Sequence, residues 1–382
     1  MKMRKYVVTV IQISYFLIIS VALLRAMQFH VESSDNMDLA RHFIMMDLVK
    51  KSEFSLIEYV FLHGDAFTSN ITMRFCYAFN FIIYITSKYC SNYYIMAWIF
   101  VVVDYCIIAY IGVDWRKQHK GYKSPHFFYE VLLCFSLLPF FQTVSGLRTA
   151  MAACLTALAI YLYLFKKKSI RVFMIIILLA ATFHPSFLLA VPFVMVTKMF
   201  NRKTGLIVSI AGSILIPLTA RILIKYSNGF FYSIAYKYLQ YTGDGAYRST
   251  RFCYYGVIII CLLTIVQHFI AFPYCRKKAL RIKSNSKDRD RVEIYDFMIY
   301  YMIFILSNIG NYEMILRPAY LLGAMAPVLT GMVFDRRCKS YQRNALAKII
   351  RMILFVIILY VSIKYLMWHS EYFIVGSPFN IV

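Results

Sequence analysis

Apolar runs long enough to span a bilayer alternate with short basic clusters along the whole chain, and this alternation confines it to one class of fold. A helix that crosses the hydrocarbon core needs roughly 20 predominantly apolar residues. Runs approaching that length occupy 6–26, 93–113, 126–144, 148–165, 170–184, 186–200, 205–224, 252–272, 294–309, 317–334 and 350–368. No stretch between them is long enough to build a separate core. Residues 1–382 are therefore expected to form a single all-α, polytopic membrane domain of about 11 transmembrane helices. With 61% hydrophobic and 16% charged residues, a soluble domain is excluded.

The formal net charge of +24 raises the question of a nucleic-acid partner. The basic residues, however, sit in clusters between the apolar runs, where the positive-inside rule places them, and no nucleic acid is expected. The nine cysteines are scattered, odd in number and never spaced C-x-x-C, which reads as small core residues with neither a disulfide framework nor a metal knuckle. The opening MKMRKYVVTVIQISYFLIISVALLRA outlasts the apolar run of roughly 7–15 residues that a secretory signal carries, so it reads as an uncleaved first span.

Charge also sets the orientation. With Lys2, Arg4 and Lys5 in the cytoplasm, the clusters at 114–123, 166–171, 198–203, 275–291 and 335–351 all fall on the cytoplasmic side, provided the further apolar stretch 74–90 does not cross. That stretch is expected to lie along the outer surface or to re-enter, within a long external segment 27–92 after the first span. A second external segment covers 225–251, and the C-terminus is external. The chain is thus read as a multi-pass plasma-membrane protein whose outer face holds its varied chemistry.

Arg148 stands at the outer head of an inward-running span. Such an arginine can snorkel to the interface. The alternative is an anion, because a guanidinium beside the positive end of a helix is unfavourable until negative charge joins it. Arg317 repeats the arrangement, with Pro318 expected at the first helical position and Glu313 four residues back as a local ion-pair partner. Arg248 and Arg251 are further outer cations or solvated surface residues. His184, in the His-Pro turn between two apolar runs, is a capping residue or a proton acceptor. Asp35 and Asp38 are N-cap residues, or else a general base and a sugar-hydroxyl ligand. Asp104 is the one mid-span acid. Phosphate-binding, zinc-peptidase, serine-hydrolase and EF-hand motifs are all missing, and the outer segments hold no D-x-D pair, so neither a metal nor a cofactor is expected and nucleotide-driven transport is disfavoured.

The segment GLRTAMAACLTALAIYLYLFKKKSIRVFMIIILLAATFHPSFLLAVPF resembles the EpsG-like bacterial exopolysaccharide polymerases. The likeness rests on Arg148, the alanine-rich span around Ala152, the basic turn of Lys166, Lys167 and Lys168, Ala181, and Phe183 followed by His184. SSDNMD stands where that family has an external Gly-Thr-Asp motif, matching Asp35. RPAYLLGAMAP from Arg317 is similar to its late arginine, aromatic and proline run, and SPFNIV to its closing tail. Thr149 replaces the family's glutamine, and Ser33 and Ser34 its glycine and threonine.

The resemblance implies a GT-C-like helical bundle and a Wzy-like glycosyltransferase reaction, polymerising undecaprenyl-pyrophosphate-linked repeat units into O-antigen, capsule or exopolysaccharide. Its partners would be the lipid-linked donor and acceptor, membrane lipid, and a chain-length regulator and flippase of the same pathway. Arg148, Arg317, Arg248 and Arg251 would meet pyrophosphate, His184 or Asp35 would take the acceptor proton, and Asp38 and Glu313 would bind sugar or support the site. A ligase of the same glycan would use the same parts. A lipid-linked oligosaccharide flippase also needs many spans, but it is expected to carry charge deep within them and to show repeat symmetry. A non-catalytic scaffold of glycan export is the third class.

Overall fold

A computed structural model of the chain describes residues 2–31, 37–68, 71–118, 125–240, 251–279, 286–334 and 344–368. Every expected apolar range falls on helix, and the described residues form no strand. The helices are α1 (Lys2–Met27), α2 (Asp38–Lys51), α3 (Leu56–Phe61), α4 (Tyr77–Tyr89), α5 (Tyr94–Gln118), α6 (Pro125–Leu137), α7 (Phe140–Val144), α8 (Leu147–Ile160), α9 (Ile170–Phe183), α10 (Ala190–Met199), α11 (Arg202–Tyr226), α12 (Gly229–Gln240), α13 (Arg251–Ala279), α14 (Ser286–Ser307), α15 (Tyr312–Ala324), α16 (Ala326–Val333) and α17 (Ala345–Trp368).

Length and composition qualify fewer crossings than the eleven expected. Among the described residues five helical stretches are long and apolar enough: Thr9–Met27, Tyr94–Gln118, Leu147–Phe165, Phe252–Ile270 and Ala345–Met367. Two bent pairs, Arg202–Ile216 with Leu218–Tyr226 at 46° and Tyr312–Ala324 with Ala326–Val333 at 82°, bring the number to as many as seven. Prolines account for much of the difference, since each lacks the N–H that continues a helix. Pro139 adopts extended geometry and separates α6 from α7 within 126–144. Pro327 opens α16 after the sharp bend at Met325. His126–Leu137, Ile170–Phe183 and Pro185–Met199 remain as shorter apolar helices. The stretch 74–90 becomes a 3₁₀ turn followed by the 13-residue α4. At about 1.5 Å per residue that helix spans some 20 Å, less than a bilayer core of roughly 30 Å.

Three local structures position the site. The first is the α8–α9 hairpin. Gly146 precedes α8 without a side-chain cap, and α8 runs on through a π-helical turn, Tyr161–Phe165, in which Lys166 N donates to Tyr161 O at 3.1 Å. Lys167 then takes a left-handed φ of 54°, and Ser169 caps α9 by accepting from Val172 N. The hairpin therefore returns its far end, His184, to the level of the α8 head that carries Arg148. Tyr161 and Lys166, at the lysine end, both donate to Asp114, at 2.6 and 3.1 Å.

The second is a seam between two interrupted helices. A Cβ built on Gly323 of α15 would lie 2.7 Å from both the N and the Cβ of Leu138, in the break between α6 and α7. Glycine is thus the residue that lets these backbones meet. The third is a buried charged cluster. Arg116 of α5 donates from Nε and Nη2 to Glu130 of α6 at 3.2 and 2.6 Å, and Tyr15 of α1 donates to the other Glu130 oxygen. The side chains of Arg116 and Glu130 are each only 2% exposed. The sequence places Arg116 within a basic surface cluster; it instead sits in the last turn of α5, buried against a carboxylate that bolts three helices together.

Candidate functional site

Arg148 is the second residue of α8, half-buried. Its Nη1 lies 3.6 Å from Cys76 Sγ, and the guanidinium sits over the Phe79 ring, 5.5 Å from its centroid. Among the described residues no carboxylate pairs with it. A cation held against a thiol and an aromatic face in a partly desolvated place is electrostatically incomplete, and the state that completes it is one with an anion bound.

The floor of this place comes from α2 and α4. Buried positions 39, 42, 46 and 49 line one face of α2, and His42 on that face meets Phe79 edge-on at 4.9 Å. Burial, and after it the charge of Arg148, push the His42 imidazole down to about 3, with Asp38 pulling weakly the other way. Burial likewise pushes the Cys76 thiol up, against the pull of Arg148. The backbone N of Leu39 donates to Ser145 Oγ at 3.4 Å, which ties the start of α2 to the turn before α8. Sequence reasoning passed over His42, Cys76 and Phe79. The signal for His42 was its place in the i, i+3, i+7 apolar spacing of α2; the other two become neighbours of Arg148 through packing alone.

Arg317 has a different environment. It lies inside α15, not at its head: Asn311 caps the helix by accepting from Met314 N, so α15 starts at Tyr312 and Pro318 is internal. Residues 312–317, which precede the helix start expected at Pro318, are helical. The turn itself is confined to the residues before them, where Gly310 takes a φ of +104° that suits glycine. Arg317 Nε donates to Glu313 at 2.5 Å, and Nη1 lies 3.1 Å from His184 Nε2. The expected Glu313 pairing is therefore present, and His184 joins it from the α9 end. Phe79, Phe100 and Phe183 form a row of edge-on contacts at 6.1 and 5.8 Å, so that aromatic packing connects the Arg148 floor to the residue before His184.

The remaining predicted residues are placed as follows. Asp38 is not the N-cap of α2; Met37 occupies that position without a side-chain bond, and Asp38 sits in the first turn, 3.6 Å from Arg41 and half-exposed. Asp35 and Arg248 lie outside the described residues, and Arg251 opens α13 with its side chain outside them. Asp104 is fully buried in α5. Among the described residues there is no cluster of His, Cys, Asp and Glu able to hold a metal ion. The structure thus brings Arg317, Glu313 and His184 into contact, and Arg148 is linked to them through the Phe79, Phe100 and Phe183 row, away from the lysine cluster at the far end of α8.

The EpsG family matches residues 15–374 of the chain. Comparison with curated proteins returned no match, and neither did comparison with solved structures.

Proposed function

Because the chain belongs to the EpsG family, the EpsG-like family of polysaccharide polymerases, we propose that it polymerises lipid-linked oligosaccharide repeat units, with Arg148 taking the donor's pyrophosphate. The observation that carries this reading is the electrostatic incompleteness of Arg148. In the reaction, the bond between the donor's anomeric carbon and its phosphate oxygen breaks, the acceptor hydroxyl oxygen bonds to that carbon, and the hydroxyl proton passes to a base. Negative charge develops on the leaving pyrophosphate, and a guanidinium fork neutralises it with two directed hydrogen bonds. Arg317, Arg248 and Arg251 serve as further cations for the pyrophosphate in this reading. Asp35 is the proton acceptor of this reading, with His184 the alternative, and Asp38 serves the sugar side.

The bundle is read as an eleven-crossing path in the plasma membrane, with α4 lying along the outer surface, the N-terminus cytoplasmic and the C-terminus external. The asymmetry of the basic clusters supports it. Undecaprenyl is the carrier the likeness implies, and an O-antigen, capsule or exopolysaccharide its product. A flippase is the second reading, and the buried Asp104 within α5 is the feature that favours it.

Deleting the gene and examining the surface glycan separates the two. Loss of the polymerase leaves single repeat units on the final acceptor; loss of a flippase strands the lipid-linked unit inside. Complementing the deletion with Arg148→Lys is expected to leave long chains reduced at least about tenfold, since lysine keeps the charge but not the fork. Full restoration by lysine would remove the guanidinium argument.

A further inference from the structure

Arg317 is held from two sides, and the chemistry of its partners fixes their roles. A guanidinium carries five N–H donors and no acceptor. His184 Nε2, 3.1 Å from Arg317 Nη1, is therefore the acceptor of that contact. The ring proton then resides on Nδ1, which lies 2.7 Å from Ser186 Oγ and donates to it. Both ring nitrogens are engaged by the protein.

Local structure enforces this. The residue before a proline is restricted to extended backbone, and His184 adopts φ −151° and ψ 106° before Pro185. The 3₁₀ turn Pro185–Leu189 brings the Ser186 hydroxyl to the Nδ1 edge of the ring, and Phe187 meets it edge-on at 6.0 Å and 81°. The imidazole is thus set in plane and tautomer before any substrate arrives. Glu313 grips Arg317 Nε from its own helix, so the guanidinium is aimed by α15 and by the α9–α10 turn together.

We propose that His184 and Ser186 are positioning residues that aim the Arg317 guanidinium at the leaving pyrophosphate, His184 acting as a hydrogen-bond acceptor and not as the base. The inference rests on the polymerase reading above and deepens it, adding Ser186 to the site. Proton removal from the acceptor hydroxyl falls to another group.

Glutamine and asparagine distinguish the two roles. Glutamine can place an amide oxygen near the Nε2 position and still accept from Arg317, but it cannot serve as a base. Asparagine reaches only to the Nδ1 position. Membranes of a deletion strain complemented with each full-length variant are supplied with lipid-linked glycan extracted from the uncomplemented deletion strain, and chain length is read on gels. Protein accumulation is measured alongside. His184→Gln is expected within about threefold of wild type, while His184→Asn and His184→Ala fall by about tenfold or more. Ser186→Ala is expected to fall by a smaller factor.

A His184→Gln protein that accumulates normally yet is as inactive as His184→Ala overturns the inference. A second comparison does not depend on the folding of that variant. In an Arg317→Lys background, adding His184→Ala is expected to cost little more, because the histidine acts through Arg317; a full additional loss means that it acts on its own and refutes the proposal. If the uncomplemented deletion strain still makes long chains, the polymerase reading itself fails, and this inference with it.

Discussion

Replacing Glu130 by leucine would take away the carboxylate that both Arg116 and Tyr15 grip in the interior. The ion pair is almost wholly desolvated, so removing one partner leaves a buried charge behind, at a cost of about 3–5 kcal/mol. The Tyr15 hydroxyl loses its acceptor as well, which adds about 1–3 kcal/mol when a buried polar group is left unmade. Tyr15→Phe alone, which leaves the ion pair in place, should cost only about 1 kcal/mol. The triple variant Tyr15→Phe, Arg116→Met, Glu130→Leu removes all three polar groups together. It is expected to lie within about 2 kcal/mol of wild type or above it, because a buried pair exchanged for apolar side chains forfeits little net stability. Trp115, next to Arg116 and fully buried, supplies the fluorescence signal for unfolding of the detergent-solubilised protein in a denaturing detergent. A single Glu130→Leu loss of about 4 kcal/mol shifts the folded-to-unfolded ratio by about a thousandfold, well within such a titration. If the triple variant is as destabilised as Glu130→Leu, the cluster acts by shape and not by charge pairing, and the reasoning is wrong.

Other perturbations read different parts of the fold. Gly323→Ala should destabilise by about 1–3 kcal/mol, because its new Cβ meets the Leu138 backbone, whereas Gly212→Ala, with nothing within 4 Å of its new Cβ, should leave the thermal midpoint unchanged or raise it. His42 is kept neutral by burial and by Arg148, so its contribution is complete above the unfolded value near 6.5 and is lost as pH falls towards about 3, at about 1.4 kcal/mol per pH unit in between. A pH series of unfolding midpoints should show a shallower acid slope for His42→Phe than for wild type; parallel slopes would assign the acid sensitivity to other groups. Glycan chain length in Arg148→Ala and Arg148→Lys strains should fall together, and separation of the two in favour of lysine would mean that charge alone suffices.

Much of the helical content, and the shared level of Arg148 and His184, could be read from local pattern. Apolar runs bounded by basic clusters mark helices wherever they occur, and two consecutive runs joined by a tight turn return the chain to its starting level. What pattern missed was non-local or depended on caps. Asn311 starts α15 six residues before Arg317, so Pro318 became internal where a proline-first helix was expected. Arg116 and Glu130 pair between two successive helices, and nothing in a cluster of basic residues shows which one turns inward. His42, Phe79 and Cys76 come from two different helices, and only the packing of α2 on α4 and of α4 near α8 makes them the surroundings of Arg148. Prolines within or beside several apolar runs divide them into shorter helices, so that five to seven helices qualify as crossings by length and composition.

The π turn at the end of α8 bears on how the chain tolerates changes in length. In a regular helix five residues advance by about 500°, which would put Lys166 some 140° around the axis from Tyr161. The wider turn lets both reach Asp114. Such a turn amounts to one residue more than an α-helix would hold, absorbed at the lysine end. Deleting a single residue between them would leave the two four positions apart, about 400° or some 40° around a regular helix, so they would keep a common side while the turn became α-helical and the face that α8 presents around Arg148 kept its bearing. The helix thus carries a one-residue insertion as a local phase slip, and the two ends of the α8 stretch can be edited independently of each other.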